Sequence, residues 1–222
     1  SGESVAVNPS YFAFTGAVMD LGYDNPLDVV DWKVYSSYDD ALVAVQNGEV
    51  KYALMGTQNN YGVKQLVDSG DIEIVSYQSE IMENYSCCRM VGQTKWVNDN
   101  PDTVKAIIRA LLRAQSWYEA NKEEAVSLHA KRIGQEDDYV AAYMMDDKHY
   151  FVNVDPLKNS VVRAWNILDK TGYLGDDCKI DIEDHINTEL YEEALAEATK
   201  SYGAEAPDFY EAQQKFFDEN DK

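Results

Sequence analysis

The chain has 222 residues, 45% of them hydrophobic, with 19 basic against 40 acidic side chains and a formal charge of −21. That length and apolar content suffice for a real core in one large domain or two small ones. So acidic a chain repels nucleic acid and anionic membrane surfaces, and it holds no apolar run of about 18 residues to span a bilayer.

The start, "SGESVAVN", has no basic segment followed by an apolar stretch, so no signal peptide is read in this chain. "ESVAVN" reads as a short buried strand. "PSYFAFTGAVMDLG" reads as a helix, with Pro9 and Ser10 at its start, Phe14, Val18 and Leu21 on its apolar side, and Gly22 as its stop. "VVDWKVYSS" alternates and is rich in β-formers, so it is expected as a second strand. Ser37 is an N-cap candidate, with Asp39 and Asp40 in the favourable first turn of a helix that ends at Asn47-Gly48. "VKYALMG" is expected as a strand, "NNYGVKQLVDSG" as a helix and "DIEIVSY" as a fourth strand. Strand and helix alternate with short links, which predicts right-handed crossovers and a largely parallel sheet.

The pattern then changes. "YSCCRMVGQ" reads as one more strand, and from Asn100 onward the chain reads as helical. Pro101 opens a helix whose apolar face is Val104, Ile107, Ile108, Leu111 and Leu112. "NKEEAVSLHAKRIG" and "EDDYVAAYMMDD" follow. "DPLKNSVVRAWNILDKTGYLG" turns Val161, Val162, Trp165, Ile167 and Leu168 inward and stops at Gly172. "DIEDHINTELYEEALAEATKSYG" and "APDFYEAQQKFFDEN" complete the series. The expected organisation is an α/β lobe over residues 1–80, followed by one further strand and C-terminal helices over 81–222. The strand at 85–91 needs neighbours, because an unpaired strand leaves its backbone groups unsatisfied.

Cys87, Cys88 and Cys178 make no disulfide framework. No CxxC or HxxxH spacing exists, and His129, His149 and His185 are far apart in sequence, so no metal site is expected. For Cys87-Cys88 three readings stand. One side chain lies in the core and the other on the opposite strand face, or the two form a vicinal disulfide, or they touch a ligand. No G-x-S-x-G, HExxH, P-loop or G-x-G-x-x-G motif occurs, so neither an enzyme nor a cofactor is expected.

The stretch "ESVAVNPSYFAF…MDLGYDNPLDVVDWKVYSSYDDALVAVQNGEVKYALMG" resembles the second lobe of extracytoplasmic solute-binding proteins of ABC importers. The group is the one that binds taurine, alkanesulfonates, nitrate and thiamine pyrimidines. The stretch Ala44 to Ala53, "AVQNGEVKYA", is likened to the family's "A-x-x-x-G-x-V-D-A", with Lys51 where the family has an acidic residue and Tyr52 where it has alanine. "KWVNDNPDTVKAIIRALLRAQSWYEANKEEAV" resembles the family's stretch after the second hinge crossing. "IDIEDHINTELYEEAL" and "YSCCRM" resemble the thiamine-pyrimidine subgroup. The order of these stretches is the stronger signal, since none is very specific alone. The resemblance implies that residues 1–80 are a periplasmic-binding-protein type II-like ligand-binding lobe. It makes residues 85–91 a hinge-crossing strand that would pair with a missing N-terminal lobe segment. It also implies a monomer when complete, a membrane permease as partner, and an extracytoplasmic location, periplasmic or as a cell-surface lipoprotein.

In an open α/β sheet, ligands bind beyond the carboxyl ends of the strands, where helices begin. That rule selects three loops. In the first, Asn8, Ser10, Tyr11 and Phe12 sit at a helix start whose free N–H groups suit a carboxylate, sulfonate or ring carbonyl, unless Ser10 only caps its helix. The second holds Ser37 and Tyr38, and Ser37 caps its helix, binds ligand or does both. In the third, Thr57, Gln58, Asn59 and Tyr61 offer neutral hydrogen-bonding groups suited to a polar heterocycle, or form an ordinary helix-start loop. Tyr11, Phe12, Tyr38 and Tyr61 either stack on a planar ligand or pack a hinge. By the resemblance, Cys87, Cys88 and Arg89 would face the cleft from the other lobe. Arg89 pairs either with a ligand anion or with a surface carboxylate. The expected function is capture of a small, thiamine-pyrimidine-like heterocycle. The alternatives are a sulfonate, nitrate or aromatic-acid binder of the same group, a sensor module, or a pyrimidine-synthase-like enzyme.

Overall fold

The computed structural model describes residues 9–56 and 60–222. Among them the regular structure is helical: α1 (Pro9–Asp20), α2 (Tyr38–Gln46), α3 (Asn60–Ser69), α4 (Gln78–Ile81), α5 (Thr94–Asp99), α6 (Pro101–Ala120), α7 (Lys122–Ile133), α8 (Asp137–Met144), α9 (Lys158–Lys170), α10 (Glu189–Tyr202) and α11 (Pro207–Asn220), with single 3-10 turns at Pro26–Asp28 and Ile182–His185. The helix signals act as expected at several ends. Ser37 caps α2 by accepting a hydrogen bond from the Asp40 N–H at 3.1 Å, and Gly48 just beyond it takes φ +72°, which a side chain would oppose.

The expected α/β class, with its largely parallel sheet, is overturned: no strand forms among the described residues. The segments 29–37, 50–56, 71–77 and 85–93 run without a ladder to any neighbour. The expected strand over residues 3–8 lies outside the described residues. Side chains that gave these segments their β pattern point to solvent instead: Tyr52 is 72% exposed, Val75 75% and Val91 91%. β propensity measures fit to a pleated, half-buried surface, and it has no effect until a second strand supplies that surface. Pairing is a non-local event that local alternation does not dictate.

The chain divides into two compact units, each made of three segments. The first comprises Ser1–Tyr85, Lys122–Phe151 and Asn166–Cys178, and the second Ser86–Asn121, Val152–Trp165 and Lys179–Lys222. In the first unit α1 buries Tyr11, Phe12 and Ala13, and α8 buries Val140, Tyr143 and Met144. Tyr61 of α3 meets Tyr139 of α8 with ring centroids 5.7 Å apart. Gly16 is where α1 passes close to its neighbours. A Cβ there would sit 2.7 Å from Ile167 Cδ1 and 2.9 Å from Met82 Cε.

The second unit has a helical core. Val104, Ile108 and Leu112 recur every four residues on α6 and meet Tyr191, Ala194, Leu195 and Ala198 of α10, with Tyr210 and Phe217 of α11 closing the third side. The two alanines allow the backbones of α6 and α10 to approach. Lys105 and Arg109 of α6 reach Glu193 and Glu197 of α10 along the rim, where solvent screens the pairs and leaves the apolar seam as the main stabilising contact.

Beside this core lies a polar latch. Asp155 is fully buried and Asp221 nearly so. One carboxylate oxygen of each accepts a backbone N–H, from Leu157 at 2.8 Å and from Lys158 at 2.9 Å. The other oxygens, Asp155 Oδ2 and Asp221 Oδ2, are buried acceptors that no donor reaches, and the two side chains face each other. A proton held between the two would satisfy both. Burial first, then the hydrogen bond with Asp221, push Asp155 up to about 8, against the opposing pull of the Leu157 N–H and the Arg89 guanidinium. Tyr191, also at this site, is raised by burial and then by both carboxyl groups.

Two outcomes are expected. Leu112→Ala removes a fully buried side chain from the α6–α10 seam and is expected to cost about 2–5 kcal/mol in urea unfolding. Asp155 holds in the folded chain a proton that it releases on unfolding. Its contribution to stability therefore falls as pH rises from about 4 towards about 8, by at most about 1.4 kcal/mol per pH unit, and levels above that. Asp155→Asn keeps an acceptor for the Leu157 N–H and is expected to flatten that fall, as read from urea midpoints at about pH 5 and about pH 8.5.

Candidate functional site

In the first unit, two extended segments end at the start of α1. Ser10, in the first turn of α1, is 2% exposed. Its hydroxyl donates to the Met55 carbonyl at 3.4 Å and accepts from the Gln78 side-chain amide. The same amide also donates to the Met55 carbonyl, at 3.3 Å. Met55 closes the segment that leads to Gly56, and Gln78 opens α4 directly after the segment 71–77. The floor beside this point is aromatic. Tyr11 and Phe14 pack on Trp32, with centroids 5.5 and 5.7 Å apart, the second pair edge-on. Trp32 Nε1 and Ser79 Oγ are buried and meet no partner. A buried N–H without an acceptor is uncommon, and such atoms mark places where a further group belongs.

The same N-terminal end of α4 carries an ionic group. His149 stacks on Tyr77 with centroids 3.5 Å apart and planes 5° from parallel. The ring Nδ1 lies 2.9 Å from the Asp146 carboxylate, which only accepts, so this nitrogen carries the hydrogen. Nε2 faces Glu80 at 3.7 Å. Glu80 also caps α4 by accepting the Tyr77 N–H at 2.9 Å and the Ser76 hydroxyl at 3.0 Å, and these bonds, the backbone one first, hold its carboxyl below the usual range. Burial pushes Asp146 up, but the His149 ring and the N–H groups of Lys148 and His149 outweigh it and lower its pKa. Tyr77 is raised, by burial and then by Asp146 and Glu80. Between them these groups fix α4, and with it Gln78, in register with Ser10.

The structure sorts the expected site residues. Ser10, Tyr11 and Phe12 come together at the start of α1. Ser37 caps α2, and Tyr38 is its half-buried first residue. Tyr61 packs on Tyr139. Asn8, Thr57, Gln58 and Asn59 lie outside the described residues. Cys87, Cys88 and Arg89 belong to the second unit. There Arg89 donates to the main-chain carbonyls of Asn153, at 3.3 Å, and Asp155, at 2.6 Å, so these donors serve a loop and not a surface carboxylate. The reading that puts one cysteine in the core does not hold, since both are exposed. Among the described residues, no group of His, Cys, Asp and Glu is placed to hold a metal ion.

Sequence reasoning missed Gln78, Ser79 and Trp32. Gln78 and Ser79 open a helix of four residues, too short to show a period. The rule that picks helix starts after extended segments would have selected them once "DIEIVSY" was seen to end there. In the sequence Trp32 shows only as a strand former within "VVDWKVYSS". Ser10→Ala removes the hydroxyl that links Gln78 to Met55. It is expected to destabilise the chain by about 1–3 kcal/mol in urea unfolding, as a buried hydrogen-bonding group loses its partner.

Compared with known proteins, the chain finds no matching family model, no matching curated protein and no matching solved structure.

Proposed function

We propose that this chain captures a small polar heterocycle as the solute-binding component of an ABC importer. The observation that carries the ligand class is the junction of Ser10, Gln78 and the Met55 carbonyl beside a buried Trp32 indole N–H that lacks an acceptor. The junction itself carries no formal charge: a hydroxyl, a carboxamide, a carbonyl and an indole. Such a set favours neutral ring nitrogens and carbonyls over a bare anion, for which cationic donors serve better. The Tyr11 and Phe14 rings meet Trp32 at 54° and 86° and share no plane with it, so the half-buried Trp32 ring is the apolar face offered to a planar heterocycle.

The importer reading is supported by the order of family-like stretches from "ESVAVNPSYFAF" to "IDIEDHINTELYEEAL". On that reading the partner is a membrane permease and the location is extracytoplasmic. The chain binds without turnover. A thiamine-type aminopyrimidine is the proposed ligand.

Calorimetric titration of the chain with aminopyrimidines, taurine and nitrate tests the reading. Aminopyrimidines are expected to bind, with Trp32→Phe and Gln78→Ala each weakening the affinity by about 10-fold, the effect of one lost hydrogen bond. Binding of taurine or nitrate alone overturns the ligand class. Aminopyrimidine binding that both variants leave unchanged overturns the site.

A further inference from the structure

A second chemical feature lies apart from that site. Neighbouring side chains of a regular strand point to opposite faces, which would separate the Cys87 and Cys88 thiols. Here the segment is not a strand, and both residues are exposed with their Sγ atoms 3.3 Å apart. The chain is anchored on either side of them. Ser86 is buried, and Arg89 is fastened to the carbonyls of Asn153 and Asp155. The two cysteines therefore form a short outward bow whose ends are held. All three cysteines are free thiols, and Cys178 is half-buried in the first unit.

We propose that Cys87 and Cys88 are a reactive vicinal dithiol, a modification site that small-molecule disulfides convert reversibly into a disulfide between adjacent residues. The two thiols are not equivalent. Cys87 as a whole is exposed, but its sulfur is partly shielded from water. This shielding, and then the Cys88 thiol beside it, push Cys87 up to about 11, while Arg89 pulls the other way by less. Cys87 is thus hard to ionise, and exchange is proposed to begin at its neighbour Cys88. The Cys88 thiolate attacks one sulfur of the reagent disulfide, forms a mixed disulfide and releases one thiolate. Cys87 Sγ then attacks Cys88 Sγ and expels the second reagent sulfur, and the Cys87 proton passes to the departing thiolate. Two protein thiols are oxidised and one reagent disulfide is reduced to two thiols, so the electrons balance. Adjacent Cα atoms across a trans peptide lie about 3.8 Å apart, below the range of about 4.4–6.8 Å that disulfides ordinarily span. The closed ring is therefore strained and easily reduced, the behaviour of a switchable bond and not of a structural one.

The test is treatment of the reduced chain with oxidised glutathione at neutral pH, followed by intact and peptide mass spectrometry. The chain is expected to lose the mass of two hydrogens within the peptide that holds Cys87 and Cys88. Cys178 should stay open to alkylation, and mild dithiothreitol should restore the starting mass. Cys87→Ser is expected to stop at one glutathione on Cys88. Cys88→Ser is expected to react at Cys87 at least ~10-fold more slowly, because less thiolate is present there. Both positions are exposed, so unchanged urea midpoints are expected for the two variants. Persistent mixed disulfides on the unaltered chain, pairing with Cys178, dimers between chains, or no reaction would each overturn the proposal.

Discussion

A main-chain N–H or C=O that lies outside a helix and away from water needs a partner. With no sheet among the described residues, ladders do not supply these partners to the extended segments of this chain. Side chains do so at selected points. Gln78 and Ser10 satisfy the Met55 carbonyl, and Glu80 takes the Tyr77 N–H. Arg89 binds the carbonyls of Asn153 and Asp155, while Gln115 Oε1 accepts the Val154 N–H at 3.2 Å. Each of these bonds places a polar side chain at the end of an irregular segment. The polar chemistry of the molecule therefore collects at those ends.

That constraint shapes the two polar clusters differently. The Ser10 junction is neutral, and its open valence is a donor, the Trp32 indole N–H. The Asp155–Asp221 latch is acidic, and its open valences are acceptors that a single proton closes. The first arrangement leaves a buried donor without an acceptor. The second is complete once protonated and ties the start of α9 to the end of α11. The energetic weight of each unit rests elsewhere, on apolar seams such as α6 against α10, because net hydrogen-bond contributions are small beside the burial of side chains like Leu112 and Leu195.

The Tyr77–His149 stack shows how a short helix is kept in place. Four residues of helix cannot hold themselves together in water. α4 is held from outside by a ring stack, by the Asp146–His149 pair and by its own Glu80 cap. Gln78 gains its fixed position from these contacts.

Local signals decided the helices. The Ser37 cap, the apolar spacing of Val104, Ile108 and Leu112, and the turn at Gly48 each act within a few residues, and the sequence alone was sufficient to read them. Ser10, Tyr11 and Phe12 were legible as a helix start with aromatic neighbours. The class of fold was not. Val34, Tyr52 and Val75 carry strand propensity, but a strand exists only when another pairs with it, and that choice lies far along the chain. The partners of Ser10 were equally out of reach, since Met55 and Gln78 stand 45 and 68 residues away. The sequence by itself determined the longer helices and the residues that end them, while the short α4 and α5 carry too few residues to show a period. Only the tertiary structure decided that the extended stretches stay unpaired, that three distant groups meet at Ser10, and that two neighbouring thiols face the same way. Contacts between distant residues depend on how the whole chain packs, and no local pattern encodes them.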